Sequence, residues 1–219
     1  MSINNNLQDI YSSLPKEVTL VAVSKTKPIN ELMEAYNAGQ RIFGENKIQE
    51  MTSKWESMPK DIEWHMIGNI QRNKVKYMAS FVSLIHGVDR FKLLKEINKE
   101  AEKHNRVIDC LLQIKIASED SKFGMTQEEA LALFSSEELL ALQNVRVKGF
   151  MGMATFTDDT NLLSEEFQTL KTFFDQVKTE QNLSILSMGM SGDYKLAIEH
   201  GSTMVRIGSS IFGSRNYTL

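Results

Sequence analysis

Residues 145–188 read VRVKGFMGMATFTDDTNLLSEEFQTLKTFFDQVKTEQNLSILSM. The two ends are short apolar runs, the signature of strands buried on both faces. Between them Phe167, Leu170, Phe174 and Val177 recur at spacings of three, four and three, with charge on the opposite side. That is an amphipathic helix. Strand, helix and strand in this order make a βα repeat around a parallel sheet.

The alternation continues in both directions. Further strand candidates lie at 18–24, 41–45, 62–67, 81–88, 107–116 and 203–207, which with 145–153 and 185–188 makes eight. Pro28 opens a helix that runs through Gly39. Before the first strand, Leu7, Ile10, Tyr11 and Leu14 share one face of an additional N-terminal helix. Eight strands and their helices within 219 residues predict an α/β fold, a (β/α)8 TIM barrel with an extra N-terminal helix, in one unit covering 1–219. A doubly wound open sheet uses the same alternation and is the alternative.

Composition excludes several classes of function. With 25 basic and 28 acidic side chains the net charge is 25 − 28 = −3, so no global cationic field attracts nucleic acid or an anionic membrane. No apolar run reaches the roughly 20 residues of a membrane span, and the first residues lack the basic and apolar regions of a secretory leader. Cys110 is the one cysteine, set among Val107, Ile108, Leu111 and Leu112. It cannot close an internal disulfide, and a reducing, cytoplasmic location is expected. His65, His86, His104 and His200 show no metal-ligand spacing, so no metal is expected; His65 reads as a hydrogen-bonded core group.

In a parallel barrel the residues that close each strand form the active face. The first strand ends in Ser24-Lys25-Thr26-Lys27-Pro28, and alternation places Lys25 on the side of Val21 and Val23. Partial desolvation there favours the neutral amine, which is the form that attacks an aldehyde. The competing reading is a solvated lysine at a strand end. Lys27 reads as a solvated neighbour, the competing readings being a second amine that accepts a transferred aldehyde or a second contact for an anion.

The C-terminal third offers two glycine- and serine-rich loops, Ser187-Met188-Gly189-Met190-Ser191-Gly192 and Gly208-Ser209-Ser210. The first opens a helix, whose free N–H groups attract phosphate, the second offers further backbone and hydroxyl donors, and consecutive loops are neighbours in a barrel. Helix capping and tight turns explain the same glycines equally well. Arg206 shares a strand face with Met204 and Gly208, and if that face points inward its guanidinium must find an acceptor, either a structural carboxylate or a ligand's ring nitrogen. Twelve methionines, several at strand ends, fill core and pocket gaps. The pairs Glu137-Glu138 and Asp158-Asp159 read as surface or helix N-terminal charge.

The ordered set Val21-Ala22-Val23-Ser24-Lys25-Thr26-Lys27-Pro28, Phe43-Gly44-Glu45-Asn46, Trp64-His65-Met66-Ile67-Gly68, Gln71-Arg72-Asn73-Lys74, Lys122-Phe123-Gly124, Gly149-Phe150-Met151-Gly152-Met153 and the run 187–213 resembles the pyridoxal phosphate homeostasis protein family. The barrel of that family is similar to the N-terminal domain of bacterial alanine racemases. The resemblance implies pyridoxal 5′-phosphate as cofactor, held in Schiff-base linkage by Lys25. It further implies that Ser191, Gly208 and Ser209 grip the phosphate, that Arg206 faces the pyridine nitrogen, and that Asn46 lines the pocket. Lys47 departs from the family pattern, in which an aromatic residue is expected after Glu-Asn.

The resemblance also implies a role in cofactor homeostasis: reversible binding and delivery, amino-acid balance, no robust catalysis and no catalytic residue. The chain ends soon after its last strand, so the second racemase domain with its acid–base tyrosine is expected to be missing, which leaves Lys25 as a lone base. An arginine opposite the ring nitrogen weakens the ring as an electron sink as well. A monomer is expected, with pyridoxal-dependent apoenzymes as partners. The alternatives are a pyridoxal-dependent amino-acid racemase or related enzyme, and a barrel for some other phosphorylated metabolite in which Lys25 is only an electrostatic contact.

Overall fold

The structure, a computed structural model, describes residues 2–117 and 123–213. Lys122, part of one motif quoted above, lies outside them. Eight parallel strands follow one another around a closed barrel: β1 (Thr19–Val23), β2 (Ile42–Glu45), β3 (Glu63–Met66), β4 (Leu84–Val88), β5 (Ile108–Gln113), β6 (Val145–Met151), β7 (Ile185–Met190) and β8 (Met204–Ile207). Closure comes from β1 pairing with β8, Val21 beside Arg206 and Leu20 beside Val205. The open-sheet alternative is thereby corrected. All eight strands fall where the apolar runs predicted, with different ends. The fourth begins at Leu84 rather than 81, because the turn that follows the 3-10 segment runs through Phe81, and the fifth stops at Gln113 rather than 116.

Helices α1 (Ile3–Ser13), α2 (Ile29–Asn37), α3 (Ile48–Ser57), α4 (Phe91–Glu102), α5 (Gln127–Phe134), α6 (Glu137–Leu140), α7 (Thr160–Val177), α8 (Tyr194–Glu199) and α9 (Ser209–Phe212) surround the barrel, and a 3-10 helix (Arg72–Tyr77) replaces an α-helix after β3. Local signals set their ends. Asp159 caps α7 by accepting from the N–H groups of Asn161 and Leu162, and Thr126 with Glu129 forms a capping box on α5. Gly39, at φ 104, takes the left-handed conformation just past α2.

Period-2 alternation divides the apolar residues into two layers. Val21, Leu84, Leu111, Met151 and Met204 fill the barrel, with Ile42, Met153 and Ile185 against them. The opposite faces, including Phe43, Trp64, Ile85, Cys110, Leu112, Phe150, Leu186 and Val205, pack under the helices. The stripe on α7 covers this outer layer: Phe167, Leu170, Phe174 and Val177 are all buried, and Phe173 stacks on Phe150 with centroids 4.9 Å apart. The extra helix α1 packs against α2 and α9, burying Leu7 and Ile10. Among the described residues no helix is long and apolar enough to cross a membrane.

Candidate functional site

The strand C-termini open into a cavity of about 700 Å³. Lys25, Asn46, Ser191, Arg206, Gly208 and Ser209, which lie far apart in sequence, all line it. The barrel brings these strand ends together because inward residues of successive parallel strands share one axis.

Lys25 follows β1 on the side of Val21, which fills the barrel, and Val23, which lines the cavity. It sits second in a turn closed by Lys27 N–H donating to Ser24 O at 3.1 Å, and is half-buried. The third turn residue, Thr26, has φ 64. The neighbouring Lys27 also lines the cavity and is only partly exposed: its ammonium donates to Phe212 O at 2.6 Å and lies 3.5 Å from Glu31. Asn46 follows β2, and a Cβ on Gly68 would come within 2.4 Å of Asn46 O, so the ends of β2 and β3 meet only because glycine stands there. Lys47, the departure from the family pattern, is exposed beside α3 and does not line the cavity.

The loops after β7 and β8 touch at the same end of the barrel, β8 being the neighbour of β1. Gly208 N–H donates to Ser191 Oγ at 3.2 Å, and α9 opens at Ser209 with the first N–H groups of a helix, which have no intrahelical acceptor. A Cβ on Gly208 would lie 3.1 Å from Val23 O, so glycine keeps the loop after β8 close to β1.

Arg206 does point inward, on the side of Met204. Its hydrogen-bond acceptors among the described residues are not carboxylates. One guanidinium nitrogen donates to Ser187 O at 2.8 Å and Ser187 Oγ at 2.7 Å, and the other to Gly152 O at 3.0 Å. Burial lowers its pKa to about 10, partly opposed by the charge of Asp193, which leaves it cationic at neutral pH. The cavity therefore has two cations, Lys25 and Arg206, at the ends of the neighbouring strands β1 and β8, with hydroxyls and glycine backbone beside them.

Met153 lines the cavity as a strand-end methionine; sequence reasoning missed Gln113, Thr155 and Asp193, and Asp158, read as surface or helix N-terminal charge, lines it too. Gln113 was hidden inside a strand predicted to run on to 116; its polarity within Leu-Leu-Gln-Ile was the available signal. His65 does not line the cavity. It is 3% exposed, and its Nδ1 lies 3.1 Å from His86 Nε2, a pairing that the sequence spacing did not suggest. Among the described residues no three His, Cys, Asp or Glu gather as a metal site. Burial and Asp109 push the Cys110 thiol well up, so it is inert.

Comparison with known proteins gives the same placement. The family model "Alanine racemase, N-terminal domain" matches residues 1–216. The pyridoxal phosphate homeostasis protein of Aquifex aeolicus (strain VF5) is 41% identical over 201 residues, 90% of this chain and 87% of that protein. That of Vibrio alginolyticus is 38% identical over 99% of both chains. The structure of PipY from Synechococcus elongatus PCC7942 with PLP bound superposes with a TM-score of 0.87 at 32% identity, covering 97% of this chain and all of that one. An alanine racemase of Clostridium difficile 630 is 12% identical with a TM-score of 0.79, and this chain covers 58% of it, a likeness of fold alone. Residues, barrel and relatives agree, and the chain belongs to the pyridoxal phosphate homeostasis protein family, built on the alanine racemase N-terminal domain.

Proposed function

We propose that this protein binds pyridoxal 5′-phosphate reversibly through Lys25 and serves cofactor homeostasis rather than fast catalysis. The observation that carries this reading is the convergence of Lys25, Asn46, Ser191, Arg206, Gly208 and Ser209 on one cavity. The residues present suit the group: a primary amine after β1, and after β7 and β8 a hydroxyl and the first backbone N–H groups of α9. When bound, the cofactor supplies an aldehyde that condenses with an amine.

Each residue then has a defined task. The neutral Lys25 amine adds to the aldehyde carbon and water leaves, forming a C=N bond; hydrolysis reverses both steps. Ser191, Gly208 and Ser209 hold the phosphate, and Asn46 borders the ring. Arg206 has only donors, so a ring nitrogen facing it accepts and stays unprotonated. An unprotonated ring is a weak electron sink, which disfavours α-carbon chemistry. Reversibility suits transfer of cofactor to pyridoxal-dependent apoenzymes from a monomeric carrier in the cytoplasm.

The test is the visible absorption spectrum of the protein before and after soaking in pyridoxal 5′-phosphate, with borohydride trapping and peptide mapping. A visible band that disappears on reduction, with the label on Lys25 and none in Lys25→Ala, is the expected result. A Lys25→Ala protein with the wild-type spectrum would overturn it. Rapid Lys25-dependent solvent deuterium exchange at the α-carbon of amino acids would favour the racemase reading instead.

A further inference from the structure

Both neighbours of Lys25 in the chain are held by one buried ion cluster. Lys54, on α3, is 5% exposed. Its ammonium donates to Ser24 O at 2.8 Å, to Glu45 Oε1 at 2.7 Å and to Glu50 Oε1 at 2.7 Å. All three of its protons are thus used. The same two carboxylates reach the turn themselves. Glu45 Oε1 accepts the Ser24 hydroxyl at 2.6 Å, and Glu50 Oε1 accepts the Thr26 backbone N–H at 2.6 Å. Ser24 is therefore fixed through its carbonyl and its hydroxyl, and Thr26 through its N–H.

Thr26 needs that hold. Its φ of 64 is the left-handed conformation that glycine or asparagine normally supplies, and a β-branched residue keeps it only where the surroundings over-determine the backbone. The cluster is also a poor source of stability. Glu45 is wholly buried and its second carboxylate oxygen has no hydrogen-bond partner among the described residues, so desolvation offsets much of its attraction to Lys54. What such a cluster fixes well is direction.

We propose that Lys54 is a positioning residue for Lys25: with Glu45 and Glu50 it locks the strained Ser24–Lys27 turn in the conformation that carries the Lys25 amine to the cavity wall. This rests on the assignment of Lys25 as the attachment point. Because Glu45, Glu50 and Lys54 stand behind the turn and do not line the cavity, their effect on ligand binding passes through Lys25.

Two ligands separate attachment from the rest of binding. Pyridoxal 5′-phosphate carries the aldehyde, whereas pyridoxine 5′-phosphate has an alcohol there and keeps the ring and phosphate. Lys54→Met and Glu50→Ala are expected to weaken pyridoxal 5′-phosphate binding about tenfold, and to change pyridoxine 5′-phosphate affinity by less than about twofold. Borohydride-trappable attachment to Lys25 slows in parallel. Equal losses for both ligands would mark a general structural role and overturn the proposal, as would unchanged affinity for the aldehyde. Glu50 has a partly exposed side chain, so Glu50→Ala decides the matter if Lys54→Met, which strands the Glu45 carboxylate, does not fold. Absence of wild-type attachment at Lys25 would instead refute the function proposed above; wild-type attachment with unaffected variants refutes only the positioning role.

Discussion

The Ser187 hydroxyl lies 3.1 Å from His86 Nδ1 and accepts from the Arg206 guanidinium at 2.7 Å. His86 Nε2 in turn lies 3.1 Å from His65 Nδ1. One buried guanidinium, one hydroxyl and two imidazoles thus form a single polar chain deep in the barrel.

Removing the link should cost more than one hydrogen bond. Ser187→Ala leaves His86 Nδ1 and one Arg206 donor without this partner in a wholly buried place, and is expected to destabilise the protein by about 1–3 kcal/mol. Urea unfolding at neutral pH measures it. A midpoint equal to wild type would show that the chain is not ordered as described.

The two histidines also predict acid sensitivity. Burial lowers the His65 pKa to about 3, and burial together with His65 and Arg206 drives His86 well below the ordinary value of 6.5. Between about pH 6.5 and about pH 3 the unfolded chain therefore binds protons that the folded chain refuses, so stability is fully present above this window and falls as pH drops through it. Each imidazole contributes a slope approaching ~1.4 kcal/mol per pH unit. His65→Gln should flatten the difference in urea midpoint between about pH 7 and about pH 5. A variant with the wild-type slope would contradict this.

Gly149 predicts a folding defect of steric origin. An ideal Cβ there would stand 1.7 Å from Ile185 O, a backbone atom of the paired strand that has nowhere to go. Gly149→Ala is expected to lose roughly 4 kcal/mol or more, seen as loss of soluble folded protein. Gly192→Ala is the control, since nothing lies within 4 Å of its Cβ position.

Ser191 predicts a binding defect with little effect on folding. Its Oγ accepts Gly208 N–H at 3.2 Å on the cavity wall, and its hydroxyl proton is available to an anion. Ser191→Ala should weaken pyridoxal 5′-phosphate binding about tenfold, the value of one hydrogen bond to a charged group, and move the thermal midpoint little. Calorimetric titration beside a thermal melt separates the two effects.

Much of this protein is legible in its residues. The apolar runs fix eight strands and the 3-4-3 stripe fixes α7, because both patterns report a local period that tertiary contacts only confirm. The strand-end positions of Lys25, Asn46 and Arg206 and the two glycine-serine loops mark the cavity wall, because parallel strands all finish at the same face. Other features are pairwise and distant. Alternation gives two faces to β8 without saying which is inside; closure of β8 on β1 decides it, placing Arg206 within the barrel and Val205 beneath the helices. No spacing brings Ser187, His86 and His65 into one chain, or sets Lys54 under the turn that bears Lys25, since each contact joins elements whose separation along the sequence bears no relation to their distance in space. Periodicity is a property of segments and belongs to the sequence; the acceptor of a buried charge is a property of the assembled barrel, where only groups excluded from water together can satisfy one another.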